Sequence, residues 1–121
     1  MSKRILVVED QEDNRQILRD LLGNAGYELI EAADGEQALA AYAKQRPDLI
    51  LMDIQLPVLD GYETTRRIRT DPESKGIPII AVTSYALAGD EAKALAAGCD
   101  GYITKPYSPR ALLAKVREYL P

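Results

Sequence analysis

Four short apolar runs each end in a residue equipped for chemistry. Ile5-Leu6-Val7-Val8 leads into Glu9-Asp10, and Leu49-Ile50-Leu51-Met52 leads into Asp53. Pro78-Ile79-Ile80-Ala81-Val82 leads into Thr83, and Gly101-Tyr102-Ile103-Thr104 leads into Lys105-Pro106. As neighbouring parallel strands, these runs would bring three carboxylates, a hydroxyl and an ammonium to one edge of one sheet. Open α/β sheets carry their sites outside the carboxyl ends of their strands. Like charges that close repel unless a cation neutralises them, so the pattern predicts a divalent metal site with one carboxylate left for chemistry.

Mg²⁺ takes oxygen ligands, keeps several waters and needs only one or two direct carboxylates. Asp10 and Asp53 are the expected direct ligands, with Glu9 nearby or acting through water and a backbone carbonyl just after Asp53 completing the set. Acids at strand ends can also simply complement the dipole of a following helix. That reading suits Glu12 and Asp13. It fails for Asp53, which follows a buried strand and precedes Ile54-Gln55-Leu56-Pro57 rather than a helix. Asp53 is therefore the candidate nucleophile, since a carboxylate can accept a phosphoryl group when a metal neutralises charge in the transition state. Lys105 offers the matching cation, as a salt bridge to Asp53 or as a phosphoryl ligand. The Lys105-Pro106 bond is a candidate for the cis isomer. Thr83 is either a β-branched strand residue or a hydroxyl donor to a phosphoryl oxygen. Strand alternation turns Tyr102 away from Ile103, as core filling or as a mobile ring that reports on Thr83.

The elements that must position these residues alternate strand and helix five times. Strands are expected at about 4–8, 27–31, 48–53, 77–83 and 100–104, and helices at about 12–24, 35–45, 61–69, 86–96 and 109–120. Asp34 with Gln37 and Asp60 with Glu63 have capping-box spacing, and Ser108-Pro109 opens the last helix. Gly26 and Gly98 stand where helices should stop. Helix one carries Ile17, Leu18, Leu21, Leu22 and Ala25 at helical spacing. The pattern fits a flavodoxin-like, doubly wound (βα)5 three-layer sandwich. Its five-stranded parallel sheet would have the order 2-1-3-4-5, placing Asp10 beside Asp53 at the switch point.

A chain of 121 residues fits one domain, 1–121, with a real core. No apolar stretch approaches a membrane span, and the lone Cys99 suits a reducing compartment, so the expected location is cytoplasmic. The net charge of −4 argues against direct nucleic-acid binding. Arg66-Arg67-Ile68-Arg69, the one dense basic stretch, is read as a solvated helix face. Histidine is absent, so any histidine chemistry must come from a partner.

Together, Glu9-Asp10, Met52-Asp53-Ile54-Gln55-Leu56-Pro57 with Asp60-Gly61, Thr83-Ser84, and Tyr102-Ile103-Thr104-Lys105-Pro106 resemble the receiver domain of two-component response regulators. The resemblance covers the whole chain. It implies that Asp53 is phosphorylated from a phosphohistidine on a sensor histidine kinase or a histidine phosphotransfer protein. It also implies Mg²⁺ held by Asp10, Asp53 and the main-chain carbonyl of Gln55, with Glu9 supporting through water. Thr83 and Lys105 would hold the phosphoryl group, Thr83 would move toward it, and Tyr102 would turn inward. The surface of helix four, strand five and helix five would then change its preference for a downstream protein target. Gln55 and Tyr85 stand at the positions where this family tunes self-dephosphorylation. Both are bulky and neither is acidic, which implies a long phosphoryl lifetime.

Other classes fit less well. Haloacid dehalogenase-type hydrolases need a second aspartate two residues after the nucleophile, where this chain has Gln55. A flavodoxin needs a phosphate-cradling loop after strand one, where this chain has Glu9-Asp10-Gln11-Glu12-Asp13. The expectation is thus a signalling switch rather than an enzyme, catalysing only its own phosphorylation and slow dephosphorylation. It would act through protein contact or pass its phosphoryl group onward in a phosphorelay, as a monomer with phosphorylation-dependent dimerisation open. Tyr85, Leu87, Ala88, Tyr107 and Tyr119 mark the expected contact face, with plain packing the alternative for two or three of them.

Overall fold

Strand alternation sorts the apolar runs onto two faces. Ile5, Val7, Leu49, Leu51 and Ile80 pack on one side, while Leu6, Val8, Ile50, Met52, Ile79 and Ala81 pack on the other. These side chains belong to a computed structural model that describes residues 2–84 and 89–121. Its strands are β1 Arg4–Val8, β2 Glu28–Ala32, β3 Leu49–Asp53, β4 Ile79–Thr83 and β5 Gly101–Thr104. All pair in parallel, in the order β2-β1-β3-β4-β5. The helices are α1 Glu12–Asn24, α2 Gly35–Lys44, α3 Gly61–Arg69, α4 Asp90–Ala97 and α5 Pro109–Tyr119.

Leu18 and Leu22 of α1 join Leu112 and Val116 of α5 on the first face. Ala38 and Tyr42 of α2, Ile68 of α3 and Ala94 of α4 cover the second. This is the expected three-layer, doubly wound sandwich. Every residue of β3 is buried, as a central strand covered on both faces requires. Its continuous apolar run follows from that. Edge strand β2 instead exposes Glu28 and Glu31.

The caps form as their residue types dictate. Asp34 accepts from the Gln37 amide at 2.7 Å, Asp60 from Glu63 at 2.8 Å and Ser108 from Ala111 at 3.0 Å. Gly98 ends α4 with φ 112°, a left-handed conformation that glycine adopts without a Cβ penalty. Strand boundaries move by a residue or two from those expected. A short 3₁₀ helix at Pro72–Gly76, started by the Asp71 side chain, was not foreseen. The expected opening of helix four at 86 lies outside the described residues, as do Tyr85, Leu87 and Ala88. Ile17 departs from the expected core stripe and is 56% exposed, because the arc of α1 that meets the sheet centres on Leu18 and Leu22. Among the described residues no helix is long and apolar enough to cross a membrane.

At the amino end of β5 a polar hub ties several elements together. Asp100 Oδ2 accepts from Arg69 Nη2 at 2.8 Å and from the Ile79 amide at 2.9 Å, and its carbonyl accepts from Tyr119 Oη at 3.0 Å. The same Arg69 guanidinium donates to the carbonyls of Gly98, Ser74 and Ile77.

Candidate functional site

Register places the chemistry. Val8 pairs with Met52, so the chain leaves β1 at Glu9 beside Asp53, the last residue of β3; Thr83 ends β4 opposite Thr104 of β5. Glu9, Asp53 and Thr83 are 3%, 4% and 2% exposed, unusual for such groups unless they are partnered. Asp10 is exposed. One carboxylate oxygen from each of Glu9, Asp10 and Asp53 lies within 4.8 Å of the other two.

Lys105 counters this crowding. Its Nζ lies 2.8 Å from Glu9 Oε1 and 3.1 Å from Asp53 Oδ2, so one ammonium serves two carboxylates. The expected partner was Asp53 alone. The Lys105-Pro106 peptide bond is cis. Backbone donors complete the cradle. The Gln11 amide donates to Glu9 Oε2 at 3.1 Å, and the Gln55 amide donates to Asp53 Oδ1 at 2.9 Å. Gln55 also reaches across the mouth, where its Oε1 accepts from the Ser84 amide at 3.2 Å.

Gly61 lets this geometry close. A Cβ there would meet the Asp53 carbonyl oxygen at 2.3 Å and Ile54 Cα at 2.7 Å. Only a glycine lets α3 start that near the backbone bearing Asp53.

The charges respond to these contacts. Burial pushes the Asp53 carboxyl up, and the Gln55 amide and Lys105 offset this only in part, leaving it above the ordinary aspartate range. Partial desolvation beside the sheet edge, then the adjoining Glu9 carboxylate, raises the otherwise exposed Asp10. Burial also works against the Glu9 carboxylate, but Lys105 and the Gln11 amide outweigh it and hold Glu9 below its usual range. Lys105 stays firmly charged, because its two carboxylate partners outweigh its own desolvation. Three carboxylates facing one ammonium leave two negative charges, the deficit one divalent cation would fill. The donors are all hard oxygens and the cluster contains no sulfur or imidazole, a set that suits Mg²⁺.

Tyr102 sits half-buried on the α2–α3–α4 side, opposite Ile103, as alternation required. Of the residues on the expected contact face, Tyr107 and Tyr119 are half-buried against the other cluster, the packed alternative for that set. Two site residues were missed from sequence. Asn14 Nδ2 donates to Glu9 Oε1 at 3.3 Å, and Arg15 Nη1 donates to the Glu9 carbonyl at 2.8 Å. Helical side chains lean toward the helix start, a rule that would have pointed both back at the end of β1.

Fold and site together define a parallel α/β protein with an acidic cation centre and a lysine-held aspartate at its switch point. The chain belongs to the response regulator receiver domain family, whose profile matches residues 5–117. It is thus a signalling switch of two-component systems rather than an enzyme, and a receiver takes its signal from a histidine kinase. It is 44% identical over 120 residues to the polar-differentiation response regulator DivK of Brucella anthropi, covering 99% of this chain and 98% of that protein. A chemotaxis response regulator of Vibrio cholerae superposes with a TM-score of 0.93 at 33% identity, over 98% of this chain and 99% of that one. The receiver domain of a Pseudomonas aeruginosa sensor histidine kinase superposes with a TM-score of 0.90 at 40% identity, covering 99% and 98% of the two chains. That structure holds a magnesium ion coordinated in its active-site cleft.

Proposed function

We propose that Asp53 is the phosphoacceptor of this receiver and that residues 1–121 work as one domain. The observation that carries the reading is how Asp53 is held. It is a buried carboxylate with one oxygen on the Gln55 amide and the other on the Lys105 ammonium, inside the acidic triad. An Asp53 oxygen attacks phosphorus on a phosphohistidine. The P–N bond breaks, and the imidazole nitrogen keeps the electron pair and is reprotonated. The donor is a partner's histidine, since this chain has none, on a sensor kinase or a histidine phosphotransfer protein.

Asp10, Asp53 and the main-chain carbonyl of Gln55 would hold Mg²⁺, with Glu9 supporting through water. Bound there, Mg²⁺ neutralises charge as the phosphoryl group transfers. Lys105 stays charged beside the acceptor, and Thr83 and Lys105 take phosphoryl oxygens. Thr83 then moves inward and Tyr102 follows. Phosphorylation acts on the surface of α4, β5 and α5 only through its different interaction energy with the two states. A downstream protein target reads that surface. The working form is a cytoplasmic monomer that neither binds nucleic acid nor inserts in a membrane.

Intact mass tests the reading. After incubation with Mg²⁺ and a small-molecule phosphodonor, the wild type gains one phosphoryl group and Asp53→Asn gains none. An adduct on the variant, or none on either, refutes Asp53 as acceptor. The same samples report phosphoryl lifetime once donor is removed. Neither Gln55 nor Tyr85 offers a carboxylate base for the attacking water, so decay is slow; rapid loss in purified protein would overturn that point.

A further inference from the structure

The triad raises a question of restraint, since three carboxylates drift apart unless something holds their backbones. Lys105 and main-chain amides fix the side chains of Glu9 and Asp53. Asp10 is exposed, so its place in the triad depends on the backbone that carries it.

That backbone is gripped from both sides. The Glu9 amide donates to the Ala32 carbonyl at 3.0 Å, fixing the peptide before Glu9 to β2. The peptide after Glu9, shared with Asp10, has its carbonyl on Arg15 Nη1 at 2.8 Å. Arg15 lies in the first turn of α1 and folds back toward β1 with its side chain only 15% exposed. Its Nη2 donates to Glu12 and its Nε faces Glu31 Oε1 at 3.4 Å, so the planar fork is locked on three sides.

We propose that Arg15 is a positioning residue for the cation site. By holding the Glu9-Asp10 peptide, its guanidinium keeps the Asp10 carboxylate facing Asp53 against their repulsion. The inference rests on the Mg²⁺ reading given above. It assigns Arg15 no contact with the ion.

Arg19 supplies the control. It pairs with the same Glu12 and Glu31 carboxylates, at 3.1 Å and 2.8 Å, through the same helix face, yet donates to neither Glu9 nor its peptide. The experiment titrates Mg²⁺ alone into wild type, Arg15→Met, Arg15→Lys and Arg19→Met by calorimetry. Half-saturating Mg²⁺ for phosphorylation from a small phosphodonor is measured in parallel. Losing a residue that orients a ligand commonly costs ten- to a hundredfold in metal affinity. Arg15→Met should therefore weaken Mg²⁺ by about tenfold and raise half-saturating Mg²⁺ by the same factor. Arg15→Lys, which keeps one donor for the carbonyl, should recover most of that loss, and Arg19→Met should stay near wild type.

Unchanged affinity in Arg15→Met overturns the proposal. Equal losses in Arg15→Met and Arg19→Met also overturn it, because the shared ion pairs would then be the cause. Should Arg15→Met not fold by circular dichroism, Arg15→Gln, with a donor too short to span the gap, takes its place. A wild-type chain that takes up no Mg²⁺ refutes the cation site itself, which a variant-only defect does not.

Discussion

Asp10→Asn should stabilise the protein without Mg²⁺ and destabilise it, relative to wild type, with Mg²⁺. The Asp10 carboxylate lies within 4.8 Å of those of Glu9 and Asp53. At that distance two unit charges repel by about 0.9 kcal/mol in a water-like dielectric and by about 3.5 kcal/mol at an effective value of ~20. Asp10 is exposed, so the water-like figure applies, and two neighbours give about 1.7 kcal/mol before Lys105 offsets part of it. The unfolded chain keeps some repulsion between adjacent Glu9 and Asp10, which leaves a net gain of about 1 kcal/mol for the variant. For a domain of this size that is roughly a 3–6 °C rise in Tm. Binding a ligand to the folded state at a hundred times its Kd adds about 2.7 kcal/mol to wild type. The variant, lacking a ligand, gains far less, so the order inverts. Urea unfolding followed by far-UV circular dichroism, in chelator and in saturating Mg²⁺, reads both arms. A variant less stable than wild type in chelator would show that repulsion is not the dominant force on Asp10. A variant that gains as much from Mg²⁺ as wild type would remove Asp10 from the ligand set.

The acidic site should also give stability an unusual pH dependence. The raised Asp53 and Asp10 carboxyls bind protons in the folded state before the unfolded state does. In chelator their contribution to stability therefore grows as pH falls from neutrality through their folded values. Glu9, held low, contributes the opposite way, losing stability as pH falls from the ordinary glutamate range through its lower folded value. Mg²⁺ competes with protons and should turn the neutral-to-acid slope against acid; identical slopes with and without Mg²⁺ would contradict this. Gly61→Ala forces a methyl against the Asp53 carbonyl at 2.3 Å and should cost about 1–3 kcal/mol in urea unfolding while slowing phosphorylation. Val58 holds φ 69° while 80% exposed, a poor conformation for a β-branched residue. Val58→Asn should raise stability by about 1 kcal/mol, measured by thermal unfolding, and a destabilised variant would mean that the loop is not strained there.

The carboxyl edge of the sheet was legible in the sequence because burial on both faces demands uninterrupted apolar runs, which make the polar residue ending each one conspicuous. Asp53 after Leu49-Ile50-Leu51-Met52 is the clearest case. Helix caps were legible for a similar reason, since Asp34, Asp60 and Ser108 act through local geometry alone. Long-range choices were not. The spacing on α1 does not say which arc meets the sheet, so Ile17 reads like Leu18 although it faces solvent. Tyr107 and Tyr119 likewise pack against side chains that local pattern does not reveal. The division of Lys105 between Glu9 and Asp53 depends on contacts 96 and 52 residues away in sequence. Arg15 carries no motif of its own; the lean of helical side chains points it toward the end of β1, but its contact with the Glu9 carbonyl is visible only in the fold.

The Asp100 hub fixes the end of β5 that lies away from the chemistry. Arg69, the Ile79 amide and Tyr119 rivet the amino end of β5, while Lys105, just past its other end, reaches the acidic site. A four-residue strand spans about 13 Å at ~3.3 Å per residue, so little backbone separates the anchored end of β5 from Lys105. Tyr102 stands two residues from that anchor and pairs with Ala81 of β4, so its backbone is held along the strand as well as at its end.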